Sequence, residues 1–247
     1  MNQIFLYKEN IGALTNRIEA DEHKHWMLQL FVSVEKDLEM KINTKTVQGS
    51  ALIVNLNTPH SFYGKNRTYF TFLINPTSML GRSILTEKLV NQVYYVLTEF
   101  ELEKIQETLI EEIDFRKTIV QIEELFTKSK LDFYDERIEI ILREIHSCNC
   151  QLTDHQVKKL SSLVNLSESR LSHLFKEQTQ VPLKSYILLH QLFKAYHLIF
   201  DGEKVTRAAM DTGFDSAAHL AATSKKMTGM SARKISKDSR FLKVREL

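Results

Sequence analysis

Two short stretches of this chain repeat one pattern, and the repeat limits the fold more than any other feature. Asn165-Leu166-Ser167 and Gly213-Phe214-Asp215 each lie between runs whose apolar residues recur at helical spacing. The turns are 48 residues apart (165 to 213), whereas Leu171 and Leu220 are 49 apart (171 to 220), so the second copy carries one extra turn residue. In that copy Val205, Ala208 and Ala209 share a helical face, and Gly213 stops the run because it takes a left-handed conformation that a Cβ resists. Asp215 or Ser216 then supplies an oxygen to cap the second helix of the pair. In the first copy Asp154 to Val164 is a predicted helix with Val157, Leu160 and Val164 inward. Asn165 tolerates the left-handed turn, Ser167 caps the second helix, and Leu171, Leu174 and Phe175 face the core. One glycine turn with a cap fits any antiparallel helix pair. Two in series point to a duplicated helix-turn-helix.

The segment between the copies, Leu183 to Phe200, reads as one unbroken helix bearing Ile187, Leu188, Leu192, Ala195, Leu198 and Ile199. At the helical rise it spans about 27 Å. That length is close to the ~34 Å turn of B-DNA, so two helices fixed at its ends would meet successive major grooves on one face. A rigid helix there, in place of a loop, is what such spacing requires.

Charge follows the same division. The 247 residues carry a net charge of only +2, but from Gln151 onward 16 Lys plus Arg stand against 9 Asp plus Glu, or +7. The first 150 residues hold 17 against 22, or −5. A surplus confined to one part is the footprint expected of a nucleic-acid binder. With 43% hydrophobic residues, 7 glycines and 3 prolines, and no apolar run long enough to cross a bilayer, the chain reads as helix-rich, soluble and large enough for two domains. MNQIFLYKEN lacks the basic region and long apolar core of a secretory signal, so a cytoplasmic protein is expected. Cys148 and Cys150 are the only cysteines, too close for an ordinary structural bridge, and are set aside as inert thiols.

Residues 3 to about 75 read as antiparallel strands. From Lys24 to Val34 the even positions Trp26, Leu28, Leu30, Val32 and Val34 form one apolar face, while His23, His25, Met27, Gln29, Phe31 and Ser33 take the other. A turn at Glu35 to Asp37 leads to the alternating LEMKIN, and after Gly49 comes ALIVNL, closed by Asn57, Thr58 and Pro59. Short strands at this spacing predict a sandwich or barrel. His23 and His25 share a face with Gln29, and the turn ending at Pro59 is placed to bring His60 across. This group resembles the metal site of the cupin fold, which uses an HxH pair, a nearby Glu and a later His. Here Gln29 stands where the Glu would be, and the glycines flanking the first cupin motif are missing. Three neutral imidazoles and an amide oxygen suit Zn, Fe, Mn or Ni. They equally suit the polar lining of an organic-ligand pocket, or a hydrogen-bonded core. His23, His25, Gln29 and His60 are thus both the candidate effector pocket and the candidate site for a divalent transition metal, with no other cofactor expected.

From about Ser83 to Phe126 the pattern turns helical. Leu85, Leu89, Val93, Val96 and Leu97, then Leu102, Ile105, Leu109, Ile113, Val120 and Phe126, fall at three- and four-residue spacings. Helices this amphipathic must cover the barrel or pair with a second subunit, and a homodimer contact is expected here. The polar Thr127 to Lys130 is the linker, giving domains at 1–128 and 134–247. Asp135 to His146 forms a further helix through Ile138, Ile141, Leu142 and Ile145.

The stretches LSESRLSHLFKEQTQVPLKSY and AAMDTGFDSAAHLAATSKKMTG together resemble the AraC/XylS family of bacterial transcription regulators, over about residues 134 to 236. The resemblance implies an α+β chain: an N-terminal antiparallel, cupin-like barrel with accessory helices for effector binding and dimerisation, and a C-terminal all-α double helix-turn-helix. It also implies partners, namely double-stranded DNA, RNA polymerase and a small-molecule effector, with no membrane and no catalytic residue. Three positions depart from the family pattern. Gln180 replaces a glycine after the first recognition helix, Gln191 an arginine in the linker helix, and Ser224 an aromatic residue in the second core, which should loosen that unit. Carried over by position, the outward residues are Ser169, Arg170, Ser172, His173 and Lys176 in the first recognition helix, and Ala218, His219, Ala221, Ala222 and Lys225 in the second. Ser167, Ser216 and Lys226 complete the expected DNA-binding set. Alanines do not hydrogen-bond to base edges, so the first unit is expected to discriminate sequence, and the second, with Lys225, Lys226 and Arg233, to grip phosphates. The competing reading is a cupin metal-dependent enzyme carrying a DNA-binding tail.

Overall fold

The computed structural model describes residues 2–16, 19–34, 38–64, 67–109, 114–127, 131–147, 157–228 and 239–243. It forms two units, Met1–Leu131 with Lys226–Leu247, and Asp132–Lys225. The division falls between Leu131 and Asp132 and again between Lys225 and Lys226.

The first unit begins with nine strands: β1 (Asn2–Tyr7), β2 (Asn10–Thr15), β3 (Glu19–His23), β4 (Leu28–Ser33), β5 (Leu38–Ile42), β6 (Lys45–Gly49), β7 (Ala51–Val54), β8 (His60–Tyr63) and β9 (Tyr69–Ile74). There follow α1 (Met79–Glu87), β10 (Tyr94–Val96), α2 (Glu99–Gln106) and α3 (Phe115–Phe126), and β11 (Ser239–Lys243) returns at the end of the described chain. The strands make a seven-stranded sheet, β10-β7-β4-β9-β2-β1-β11, and a four-stranded sheet, β3-β8-β5-β6. The barrel-like region is therefore two facing sheets rather than one closed sheet.

Strand β4 shows how the layers are filled. Its odd residue Phe31 joins Leu52 and Val54 from the large sheet and Leu38, Met40, Ile42, Val47 and Phe62 from the small one. Its even residues Leu28, Leu30 and Val32 pack, with Phe70 and Phe72, against Ile84, Ile105, Phe115, Ile119 and Ile122 of the helices. Both faces of β4 are buried, so the alternation separates two apolar layers rather than core from solvent.

Two sequence expectations need correction. Lys24 to Val34 is not one strand: β3 ends at His23 in the small sheet and β4 starts at Leu28 in the large one. The crossing is held by the Asn57 amide, which donates to the His25 carbonyl at 2.7 Å, and by the His25 ring against the Met27 carbonyl at 3.0 Å. The helical pattern of 83–126 is also interrupted. Tyr94–Val96 pairs antiparallel with β7, and Val93 and Val96 are 45% and 41% exposed, not inward. The Glu101 carboxylate clamps this segment, taking hydrogen bonds from Lys88 Nζ at 2.9 Å and the Tyr95 hydroxyl at 2.8 Å. Burial alone would raise the Glu101 carboxyl, but the bonds from Lys88, the Thr98 amide and Tyr95 outweigh it and hold it below the usual range. Ile113 and Lys128 to Lys130 lie outside the described residues, as do Cys148 and Cys150.

The second unit is helical: α4 (Glu136–Ser147), α5 (Val157–Leu163), α6 (Glu168–Thr179), α7 (Leu183–Phe200), α8 (Val205–Asp211) and α9 (Ala217–Thr228). The long α7 has the predicted limits. Ile138, Ile141, Leu142 and Ile145 of α4 are buried as expected, and α7 buries Tyr186, Leu189, Phe193 and Tyr196 besides the predicted Ile187, Leu192, Ala195 and Ile199, whereas the predicted Leu188 and Leu198 are only half-buried. The division between units falls within α9.

Candidate nucleic-acid interface and imidazole cluster

In the first helix-turn-helix, Asn165 has φ 52° and turns the chain out of α5. The Ser167 hydroxyl accepts from the Arg170 amide at 3.2 Å and caps α6. Leu171, Leu174 and Phe175 are buried, which forces the rest of the helix outward. Ser169, Arg170, His173 and Lys176 are exposed and Ser172 is half-buried. The Ser172 hydroxyl donates to the Glu168 carbonyl at 2.7 Å, so it offers an incoming group only acceptor lone pairs. Gln180 ends α6 at φ 62°, a left-handed position without glycine.

The second copy uses the same devices. Gly213 has φ 87°, Phe214 is buried, and of the two candidate caps it is Ser216 whose hydroxyl accepts from the His219 amide, at 3.1 Å. Asp215 instead lies 3.0 Å from the His219 ring. Ala218, His219, Ala222, Lys225 and Lys226 are exposed, Ala221 is half-buried, and Leu220 is fully buried. At the position expected to loosen the second unit, Ser224 is 0% exposed and its hydroxyl lies 2.7 Å from that of Tyr196 on α7.

The four residues singled out in the first unit come together from both sheets. His23 and His60 face one another across β3 and β8, His25 lies in the crossing, and Gln29 is on β4 of the other sheet. One ring nitrogen of each histidine lies within 4.8 Å of the other two. Each Nδ1 sits on a backbone carbonyl: His23 on Asp21 at 2.9 Å, His25 on Met27 at 3.0 Å, His60 on Thr58 at 2.8 Å. The Nε2 atoms of His25 and His60 are 2.9 and 3.2 Å from Gln29 Oε1. Burial pushes the His25 ring down to about 3, helped by repulsion from His60 and His23, and the His60 ring to about 4. Burial lowers His23 as well. Sequence reasoning missed Thr71, whose hydroxyl accepts from Gln29 Nε2 at 3.0 Å and fixes the amide. Its signal was a threonine among the aromatic and aliphatic residues of the strand YFTFLI.

Residues 160–238 match the family described as a helix-turn-helix domain. The chain carries an AraC-type helix-turn-helix domain, the DNA-binding part of a transcription regulator. The fold of the chain is similar to that of ToxT from Vibrio cholerae O395, with a TM-score of 0.57 and 11% identity over 93% of this chain and 98% of that one. ToxT bound to (E)-4-(8-methylnaphthalen-1-yl)but-3-enoic acid gives 0.53 and 10%, over 96% and 97%. ToxT of Vibrio cholerae strain SCE256 with bound unsaturated fatty acid gives 0.51 and 10%, over 86% and 87%. At these identities the likeness is one of fold. No curated protein matches by sequence. Within the AraC-type domain the predicted outward residues of both recognition helices are exposed except for the half-buried Ser172 and Ala221, while Ser167 and Ser216 serve first as helix caps. Arg233 lies outside the described residues.

Proposed function

We propose that this protein is a cytoplasmic, homodimeric, one-component regulator in which a small molecule held in the first unit governs how the AraC-type domain engages promoter DNA and RNA polymerase. No catalytic role is assigned to it. One observation carries the DNA-facing part. The buried face of α6, Leu171, Leu174 and Phe175, leaves Arg170, His173 and Lys176 together on the open face of a capped helix. Arginine offers bidentate donors for guanine, histidine pairs with base edges or phosphate, and lysine neutralises phosphate. The capped N-terminus of α6 adds a favourable field for a phosphate. The small-molecule part is supported by fold and by one contact: the imidazole cluster adjoins the layer between the sheets, the His60 ring lying 6.4 Å from that of Phe31, and ToxT, of similar fold, binds a fatty acid.

Selection of bound fragments from a random DNA pool, followed by titration of the selected site, tests the division of labour. Arg170→Ala and His173→Ala should each weaken the selected site by roughly 10- to 100-fold while leaving binding to unrelated DNA nearly unchanged. If both leave discrimination intact and Ala221→Ser or Ala222→Ser alters it, the sequence-reading role belongs to the second unit instead.

A further inference from the structure

The hydrogen-bond roles in the imidazole cluster do not close among its own members. A backbone carbonyl only accepts, so each Nδ1 resting on one must carry the proton; the Met27 amide, 3.4 Å from His25 Nδ1, is the longer and weaker contact there. A desolvated neutral ring protonated at Nδ1 has a bare lone pair at Nε2. The Nε2 lone pairs of His25 and His60 then point at Gln29 Oε1, itself an acceptor, at 2.9 and 3.2 Å. The Gln29 amide is held in that sense by its NH₂ group donating to Thr71. His23 Nε2 is buried and has no hydrogen-bond partner among the described residues. Four lone pairs thus converge without a proton between them, from side chains of which His25, His60 and Gln29 are each under 7% exposed.

We infer that His23, His25 and His60, through Nε2, and Gln29, through Oε1, bind a divalent transition metal. A divalent cation satisfies four acceptors at once. The backbone carbonyls on the Nδ1 atoms are the outer partners that fix ligating imidazoles in the required tautomer. Three imidazoles and one amide oxygen, without a carboxylate, select zinc, cobalt, nickel or iron over magnesium and calcium. Metal–nitrogen bonds of about 2.0–2.1 Å would draw the ring nitrogens to roughly 3.4 Å apart, from a spacing within 4.8 Å. All four ligands belong to the first unit, so metal binding does not depend on which residues touch DNA.

The test uses the full chain, stripped with a chelator and titrated with Co(II), then with Zn(II). Expected are one equivalent of cobalt with the visible absorption of a nitrogen-rich site, its displacement by zinc, and one zinc per chain by elemental analysis. His23→Ala removes the most accessible ligand and should weaken binding at least tenfold, about what loss of a mere outer partner costs. Gln29→Glu should tighten it by a similar factor by supplying an anionic oxygen. The competing arrangement has the Gln29 amide reversed, its NH₂ donating to both Nε2 atoms and its oxygen accepting from Thr71. In that case the wild-type chain takes up no more cobalt or zinc than His23→Ala, and the inference falls. The wild-type titration decides even if a variant does not fold, and retention of the selected DNA site by the stripped protein separates this failure from failure of the regulator reading.

Discussion

In the first helix-turn-helix, α6 turns Arg170, His173 and Lys176 outward, whereas in the second, α9 turns out Ala218, Ala221 and Ala222 together with Lys225 and Lys226. The scaffolds hardly differ. Each turn has a positive-φ residue, Asn165 or Gly213, and each second helix a serine cap, Ser167 or Ser216. The cores differ as much as the surfaces. Phe175 and Ser224 are 49 positions apart (175 to 224), the same offset as Leu171 and Leu220, so they occupy one structural position. Phe175 packs on Tyr186 with ring centroids 5.4 Å apart, and Ser224 hydrogen-bonds Tyr196. Both tyrosines belong to α7, so the linker helix supplies a ring to each unit and the ring's partner is what varies. A turn and a cap thus fix the motif while leaving the buried partner and the exposed face free to diverge.

Filling position 224 should break this pairing most sharply. Ser224→Phe, which restores the first unit's chemistry on paper, meets the Tyr196 hydroxyl at 2.7 Å and should cost about 1–3 kcal/mol or more by overpacking. Adding Tyr196→Ala should recover part of that loss. Chemical denaturation followed by helical circular dichroism measures both, and a more stable Ser224→Phe would mean that Tyr196 does not fill the site. Next in size is the bond itself. Tyr196→Phe should cost about 1 kcal/mol, and the double variant Tyr196→Phe with Ser224→Ala less than the two singles combined. Additive costs would show that the two hydroxyls are not coupled. The turn after α6 gives a smaller effect of opposite sign. Gln180→Gly relieves a left-handed residue and should raise stability by roughly 0.5–1 kcal/mol, whereas Asn165→Gly should change it by no more than a few tenths because asparagine tolerates that region. Smallest is Lys225→Ala, expected to lower the salt dependence of DNA binding by about one charge on every sequence tested. A loss confined to the selected site would make Lys225 a reader of bases.

Much of the helical half was legible because period and punctuation agreed. Leu183–Phe200 begins after Pro182 and keeps its apolar stripe to the end, so its limits were visible in the chain. The site in the first unit was legible as residue types and not as geometry. An HxH pair on one strand was the natural reading of His23 and His25, but the chain leaves the small sheet between them, a step set by the Asn57–His25 backbone bond from a distant turn. Tyr94–Val96 escaped notice because Leu85, Leu89, Val93 and Val96 imitate a helical stripe, although the last two lie at a sheet edge. The Tyr196–Ser224 contact joins positions 28 apart (196 to 224) on different helices, and local pattern carries no signal for such a pair.

Strand β11 runs parallel to β1, joining Asn2 to Ser239 and Leu6 to Lys243. In a growing polypeptide the first of these segments leaves the ribosome long before the second is made. At about 5–20 residues per second the interval is roughly 10–50 s. For that time β1 has β2 on one side and an open row of amides and carbonyls on the other, the kind of edge that recruits other chains. The seventh strand of the sheet is thus a late arrival, and a nascent chain stalled before it would be most prone to associate at Asn2–Leu6.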